Sequence, residues 1–372
     1  MSREAKLLFI AVYLLVSLGI VMTYSASAIY AEQTFKDPTY FLKRQVIYGL
    51  IGTVLLFFAA GQDPYLCKEH AREILIVSFA LLLIVLLPFF GHAAGGARRW
   101  IRIGPVNFQP VEISKIAVCL YLADYLSRRI KGIQRGEFAV LLPPVLVLIL
   151  TCGLILLQPD LGSCIFIFLV ASVLFFLAGL RLRYVLLASL VFIPIFYFLV
   201  VRIPYRLARV TSYLNPWSDP QGSGFQIIQS LLAFGMGGLK GVGLGESTQK
   251  LFYLPQSYND FIFSIIGEEL GFLGALGVVV LYGVVLFAGL RIAGRARGNY
   301  EKLFVISLVL LVVLQAMINM LVATGLIPTK GLPLPFVSYG GSSLVFNLFA
   351  VGLLLAMDRT LQGGRSSLRG YG

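Results

Sequence analysis

Charge is what this sequence has least of. Only 13% of its 372 residues are Asp, Glu, Lys or Arg, against about 25% in a soluble domain. Histidine is nearly missing: His70 and His92 stand 22 positions apart. That leaves no pattern for a His-based zinc site or a Ser-His-Asp triad. The four cysteines, Cys67, Cys119, Cys152 and Cys164, show no CxxC spacing, and three lie in apolar runs. They read as small buried hydrophobes, not as a disulfide framework or a metal site. No GK[ST] phosphate loop and no dinucleotide fingerprint occur. No internal repeat is visible, which weakens a transporter built on inverted repeats.

What is abundant is apolar. Hydrophobic residues make up 58% of the chain, and the mean hydropathy is +0.89. A soluble enzyme, a disordered chain and a secreted disulfide scaffold are excluded, and a polytopic membrane protein remains. A helix needs about 20 mostly apolar residues to cross a bilayer. Charge-free runs cover 7–31, 45–62, 74–97, 138–159, 161–180, 184–201, 270–290, 303–329 and 331–357. The seventh begins nearer residue 261, with Glu268 and Glu269 inside it. A tenth span hides at 109–126, where Glu112, Lys115 and Asp124 interrupt it. Ala26-Ser27-Ala28 resembles a leader cleavage site, but the run before it is too long for a signal core, so it reads as a retained first helix. The expectation is an all-α polytopic membrane protein of about ten transmembrane helices. It forms one membrane domain over 1–372, with a large extracytoplasmic loop, 203–259, between helices 7 and 8.

The net charge of +13 sits in short loops between apolar runs, so it reads as a topology signal and not as nucleic-acid binding. With both termini cytoplasmic, inner segments hold 17 Lys and Arg and outer segments 12, with Lys115 inside a span. The bias favours this orientation. The outer count is nevertheless high. Arg98, Arg99 and Arg102 crowd one short loop, and five more cations lie in 202–259. That excess suits an anionic ligand such as a lipid pyrophosphate.

Ionisable groups inside a span are costly and are functional candidates by default. Glu112 and Lys115, three apart, share a helix face and can pair. Asp160, in Gln158-Pro159-Asp160-Leu161-Gly162, suits a cap on the helix that follows. The long outer segment carries six glycines within 235–245, which would let backbone approach a ligand or a bilayer surface closely. Its apolar residues argue against disorder and for interfacial segments. Asp260 follows at the outer mouth of a helix, partly desolvated and close to basic loops, which suits a general base or equally a first-turn carboxylate. Glu268, eight residues on, would lie about 12 Å deeper and about 80° round the same helix, lining the same cavity. Glu269 would face away and brace another helix. Between 325 and 341, three prolines and four glycines forbid a continuous helix. Broken backbone at that depth lines a cavity or is buried, and Lys330 would give the cavity a positive charge.

The stretches GARRWIRIG, QPVEISK, QPDLGS, LNPWSDP, GVGLGESTQK and GLIPTKGLPLPFVSYGGSS together resemble the SEDS family of bacterial cell-wall proteins (shape, elongation, division, sporulation). The resemblance runs from Tyr24-Ser25-Ala26-Ser27 to the last span and is strongest to the cell-division member, with elongation and sporulation paralogues as alternatives. It implies a peptidoglycan glycosyltransferase that polymerises lipid II at the outer face of the bacterial cytoplasmic membrane, at the division septum. A class B penicillin-binding protein transpeptidase and other divisome proteins would be its partners. The family's catalytic aspartate, in a motif usually read His-Thr-Asp-Phe-Ile-Phe, aligns with Asp260 in Tyr258-Asn259-Asp260-Phe261-Ile262-Phe263, so the two preceding residues depart from the pattern. Arg44, Arg98 and Lys115 match the family's basic cavity positions. Glu112 matches its Gln-Pro-Ser-Glu segment, with Val111 in place of the serine.

The chemistry joins these residues. A sugar hydroxyl is a weak nucleophile, so a base must take its proton as the new bond forms. The pyrophosphate leaving group is anionic, so fixed cations should stabilise it. The expected assignment is Asp260 as base in a single inverting displacement. Arg44, Arg98 and Lys115 would hold pyrophosphate, and Glu112, Lys330 and Glu268 are further substrate-site candidates. A divalent cation, Mg2+ or Mn2+, could share the pyrophosphate work, although no metal cluster stands out. The rival reading is a lipid II flippase, which also needs a charged cavity.

Overall fold

The computed structural model describes residues 1–89, 91–94, 97–103, 106–184, 204–251, 254–255, 257–329 and 331–369, with isolated positions between 186 and 197. The expected span at 184–201 and the candidate Lys330 therefore lie outside the described residues.

The apolar runs form helices. In chain order these are α1 (Arg3–Phe35), α2 (Tyr40–Gly61), α3 (Pro64–Glu69) and α4 (Ala71–Ile84), then α5 (Pro110–Arg128), α6 (Ile130–Arg135), α7 (Phe138–Leu156) and α8 (Leu161–Leu177). The second half holds α9 (Pro204–Leu214), α10 (Phe225–Gly237), α11 (Ile262–Glu269), α12 (Gly271–Ala293), α13 (Asn299–Ala323) and α14 (Gly341–Arg369). Six of these, α1, α2, α7, α12, α13 and α14, are long and apolar enough to cross a bilayer. The chain is a polytopic helical membrane protein. The starts follow local chemistry: Ser2 caps α1 by accepting from the Ala5 amide, and Pro110 opens α5 where a missing N–H costs nothing.

Burial sorts the helices. In the apolar windows of α13 and α14, 67% and 72% of residues are buried, against 22% in α7 and 28% in α12. The first pair are therefore central and the second pair peripheral. α5 is central too. Its buried face carries Glu112, Ser114, Lys115 and Asp124, and it packs against α4, α8 and α13. α14 lies along α2, and α1 along α12.

One expected span is shorter than its apolar run. The charge-free stretch 74–97 is helical only to Ile84. Pro88 and Gly91 cannot continue a helix there, and the chain turns into a small antiparallel sheet: β1 (Gly91–Ala94), β2 (Ala97–Ile103) and β3 (Val106–Phe108), in that order. β2 is the centre strand, with Trp100 opposite His92 and Ile101 opposite Phe108. A period-2 pattern of short strands is invisible inside an apolar run that also suits a helix.

Candidate active site

Asp260 lies in the turn ahead of α11, outside the spanning helices. Three consecutive carbonyls hold that turn in place. Tyr258 accepts from the Tyr339 amide at 3.0 Å, Asn259 from the Ser338 hydroxyl at 2.5 Å and Asp260 from the Asn319 side-chain amide at 2.9 Å. The Asp260 carboxylate is half-buried. Burial pushes it up to about 7; the Arg209 guanidinium pulls it down, Asp160 pushes it up and Arg99 pulls it down. A carboxyl so placed is ionised near neutral pH yet basic enough to take a proton.

The cations around it come from two separate segments. Arg209, on α9, donates to the Thr329 carbonyl at 3.3 Å. Arg99, on β2, donates to the carbonyls of Gln158 and Pro159 at 2.8 and 2.6 Å. Its strand neighbour Arg98 is exposed; the register of β1 against β2 shifts at this point, leaving Arg99 without a paired residue. Asp160 is buried, and both its oxygens accept from Ser163, one from the amide and one from the hydroxyl. It is the helix cap its sequence context suggests, and its charge is also felt at Asp260.

The other wall is the broken stretch after α13. Side chains from four helices each take one of its carbonyls. Asn319 donates to Leu332 at 2.8 Å, Gln315 to Pro333 at 2.9 Å and Gln45 to Ser338 at 3.2 Å. Tyr282 donates to Pro335, and Thr23 to Val337 at 3.5 Å. This is how non-helical backbone survives inside a helix bundle: its carbonyls find side-chain donors on the helices around it. Gly19 of α1 makes room for it, since a Cβ there would lie 2.4 Å from the Phe336 carbonyl oxygen.

The remaining candidates fall at different distances from this mouth. Arg44 is half-buried, stacks on Tyr40 at 4.4 Å and lies beside Tyr339. Tyr339 also packs with Phe41 and Tyr258 in an aromatic cluster that reaches Tyr30. Tyr258, where the resembled family has histidine, is part of that packing. Lys115 is deeper and 4% exposed. It pairs with Glu112 at 2.8 Å and donates to Gln315 Oε1 at 2.9 Å. The void beside the pair is about 10 Å³, enough for one water at most and far too small for a pyrophosphate.

Glu268 is fully buried, and its carboxylate is occupied by the Ser247 hydroxyl, the Thr248 amide at 2.9 Å and hydroxyl at 3.1 Å, and the Gln249 amide at 3.4 Å. Glu269 binds Ser25 of α1 and Lys250. The expected 80° offset between Asp260 and Glu268 assumed one continuous helix. The helix begins only at Ile262, so that angle does not apply. Both glutamates anchor the glycine-rich segment instead.

Part of that segment approaches backbone closely. Val242 and Gly243 amides donate to the Glu268 and Glu269 carbonyls at 3.0 and 3.1 Å. A Cβ on Gly237 would lie 1.9 Å from the Gly267 carbonyl oxygen. The α11–α12 break is thus sealed by the loop's main chain.

Gln315 and Asn319 were not singled out by the sequence reading. The signal was there: two amides four residues apart in the apolar 303–323 run, hence on one face. A separate cavity of about 510 Å³ lies on another part of the bundle. Lys68, Arg72, Asp124 and Arg128 line it, with Asp124 some 18 Å along α5 from Glu112. It is remote from Asp260. Among the described residues no three His, Cys, Asp or Glu side chains could hold a metal, and both oxygens of Asp160 are already engaged. Among the described residues, a divalent cation would therefore find no cage of three carboxylate or imidazole ligands here.

The site is a half-buried carboxylate under the influence of two arginines, beside broken backbone in a polytopic helical membrane protein. Residues 5–363 match the cell cycle protein family of FtsW, RodA and SpoVE, and the chain belongs to that family. It is 45% identical over 350 residues to the probable peptidoglycan glycosyltransferase FtsW of Geobacter sulfurreducens, covering 93% of this chain and 92% of the relative. It is 43% identical over 354 residues to the stage V sporulation protein E of Bacillus subtilis, covering 95% and 96%. Among solved structures it is similar, at TM-score 0.78 and 31% identity, to a chain from work on structural coordination of polymerization and crosslinking by a peptidoglycan synthase complex, covering 95% of this chain and 97% of that one.

Proposed function

We propose that this chain is a peptidoglycan glycosyltransferase of cell division, polymerising lipid II at the outer face of the bacterial cytoplasmic membrane. The observation that carries the proposal is the Asp260 carboxylate, raised to about 7 by burial, between Arg209 and Arg99. With both termini cytoplasmic, as the Lys and Arg distribution favours, this mouth faces outward.

Asp260 takes the proton from the 4-hydroxyl of one lipid-linked sugar as its oxygen attacks the anomeric carbon of another. The bond to pyrophosphate breaks on the opposite face, so configuration inverts. Undecaprenyl pyrophosphate departs, and Arg209 and Arg99 take up its charge. Arg44 and the exposed Arg98 extend the basic rim. Glu112 and Lys115 brace the wall through Gln315. Mg2+ or Mn2+ would enter with the pyrophosphate and shield its charge. A class B penicillin-binding protein would crosslink the strands, and the septum with its other divisome proteins is where the pair would work. Identity to a division relative and a sporulation relative is similar, so the division assignment rests on the sequence motifs.

The test is purified protein with labelled lipid II in detergent, where no membrane sides exist. The transferase makes glycan strands there. A flippase makes none.

A further inference from the structure

α13 carries two buried amides in an apolar stretch, Gln315 and Asn319, each 1% exposed. Gln315 is used at both ends: Nε2 donates to Pro333 and Oε1 accepts from Lys115. Asn319 is used at one end only. Its Nδ2 spends one hydrogen on the Asp260 carbonyl at 2.9 Å and the other on the Leu332 carbonyl at 2.8 Å. Its Oδ1 is buried without a partner among the described residues. The amide cannot be turned over, because its oxygen would then face two carbonyl oxygens.

An unsatisfied buried acceptor costs roughly 1–3 kcal/mol, which offsets part of what Asn319 contributes by satisfying the Asp260 and Leu332 carbonyls. Its geometry has another consequence. One side chain ties the main chain of Asp260 to that of Leu332, the residue after Gly331. Gly331 is the glycine against which the Asp260 carboxylate rests, since a Cβ there would come within 3.1 Å of Oδ2. The clamp sets how far the carboxylate stands out of the wall.

We infer that Asn319 is the positioning residue of the general base, holding the Asp260 main chain to the Leu332 carbonyl so that the carboxylate keeps its half-buried place between Arg209 and Arg99. The inference rests on the reading of Asp260 as base. Asn319 touches no reacting atom. It acts by fixing the residue that does.

Among the described residues, the titratable and charged groups that act on or with Asp260 are Arg209 from α9, Asp160 from the turn before α8, Arg99 from β2 and Tyr258 from its own turn. A change at Asn319 replaces none of them. Releasing the clamp lets water reach the carboxylate, so its raised proton affinity falls back toward that of an ordinary carboxylic acid. The acid limb of the pH–rate profile then moves to lower pH.

The experiment measures lipid II polymerisation from pH 5 to 9 by purified wild type, Asn319→Ala, Asn319→Ser and Asp260→Asn, each scaled to its folded fraction. For Asn319→Ala the expected result is a kcat lower by about tenfold or more, a KM for lipid II within about twofold, and an acid limb shifted down. Asn319→Ser, which keeps one donor, falls between and serves where the alanine variant fails to fold. A loss that only follows the folded fraction, with the acid limb unmoved in the serine variant, overturns the inference. Full activity in Asp260→Asn overturns the base itself, a separate failure.

Discussion

Gly331 sits edge-on to Asp260, with a Cβ on the glycine falling 3.1 Å from the carboxylate Oδ2. That contact is tighter than an ordinary van der Waals approach, so the glycine sets the space in which the carboxylate stands. Gly331 is exposed, and its backbone is not in the left-handed region reserved for glycine. Gly331→Ala should therefore cost little stability, within about 0.5 kcal/mol, while displacing the carboxylate and lowering the polymerisation rate. Thermal melts and initial rates on one preparation check both halves. Equal losses in both would point to simple misfolding.

Asp260 trades stability for function. Its folded pKa, about 7, stands above its ordinary value of 3.8. The folded state therefore holds its proton more tightly than the unfolded chain does. Stability is lost as pH rises from about 4 through 7, and the loss is complete above that. Asp260→Asn stays neutral throughout, so it should be more stable than wild type at pH 8 by roughly 1–3 kcal/mol. At pH 4 the difference should nearly vanish. Denaturation in detergent at both pH values measures this, and a variant less stable at pH 8 would contradict it.

The arginines act on the same carboxyl with a fixed sign. Arg209 and Arg99 hold the Asp260 pKa down against burial. Arg209→Ala should slow the reaction and also move its acid limb to higher pH, opposite to the shift expected for Asn319→Ala. The pH–rate profiles of the two variants side by side give the comparison. Shifts in the same direction would mean that these groups do not act on one carboxylate.

Lys115 and Glu112 form a buried pair beside a void of about 10 Å³. Lys115→Met leaves Glu112 buried without its cation, at an expected cost of about 3–5 kcal/mol. Replacing both, with Glu112→Gln added, should recover part of the loss. Unfolding curves for the two singles and the double test it. A normal stability with a raised KM for lipid II would instead make Lys115 a substrate contact.

Much of this was legible in the residues. Charge-free runs placed α1, α2, α7, α8, α12 and α13 to within about six residues, because twenty apolar side chains have one stable disposition in a bilayer, whereas α14 starts ten residues later than its run, past the broken stretch. The prolines of 325–341 announced the break, and Asp260 stood out as an acid at a span's mouth. What stayed hidden depended on tertiary contact. Arg98 and Arg99 are indistinguishable until the fold leaves Arg98 exposed and ties Arg99 to the Gln158 and Pro159 carbonyls. Glu268 looked like a cavity residue until Ser247, Thr248 and Gln249 were seen to occupy it. The glycines of 235–245 suggested ligand approach, but Gly237 is small because the Gly267 carbonyl lies where its Cβ would be.

The most direct measurement is the rate of lipid II polymerisation in detergent at pH 8 by wild type and by Asp260→Asn, the variant expected to fold at least as well. The account predicts glycan strands from the wild type and a loss of about a hundredfold or more in the variant. Strands formed by both at similar rates would contradict it.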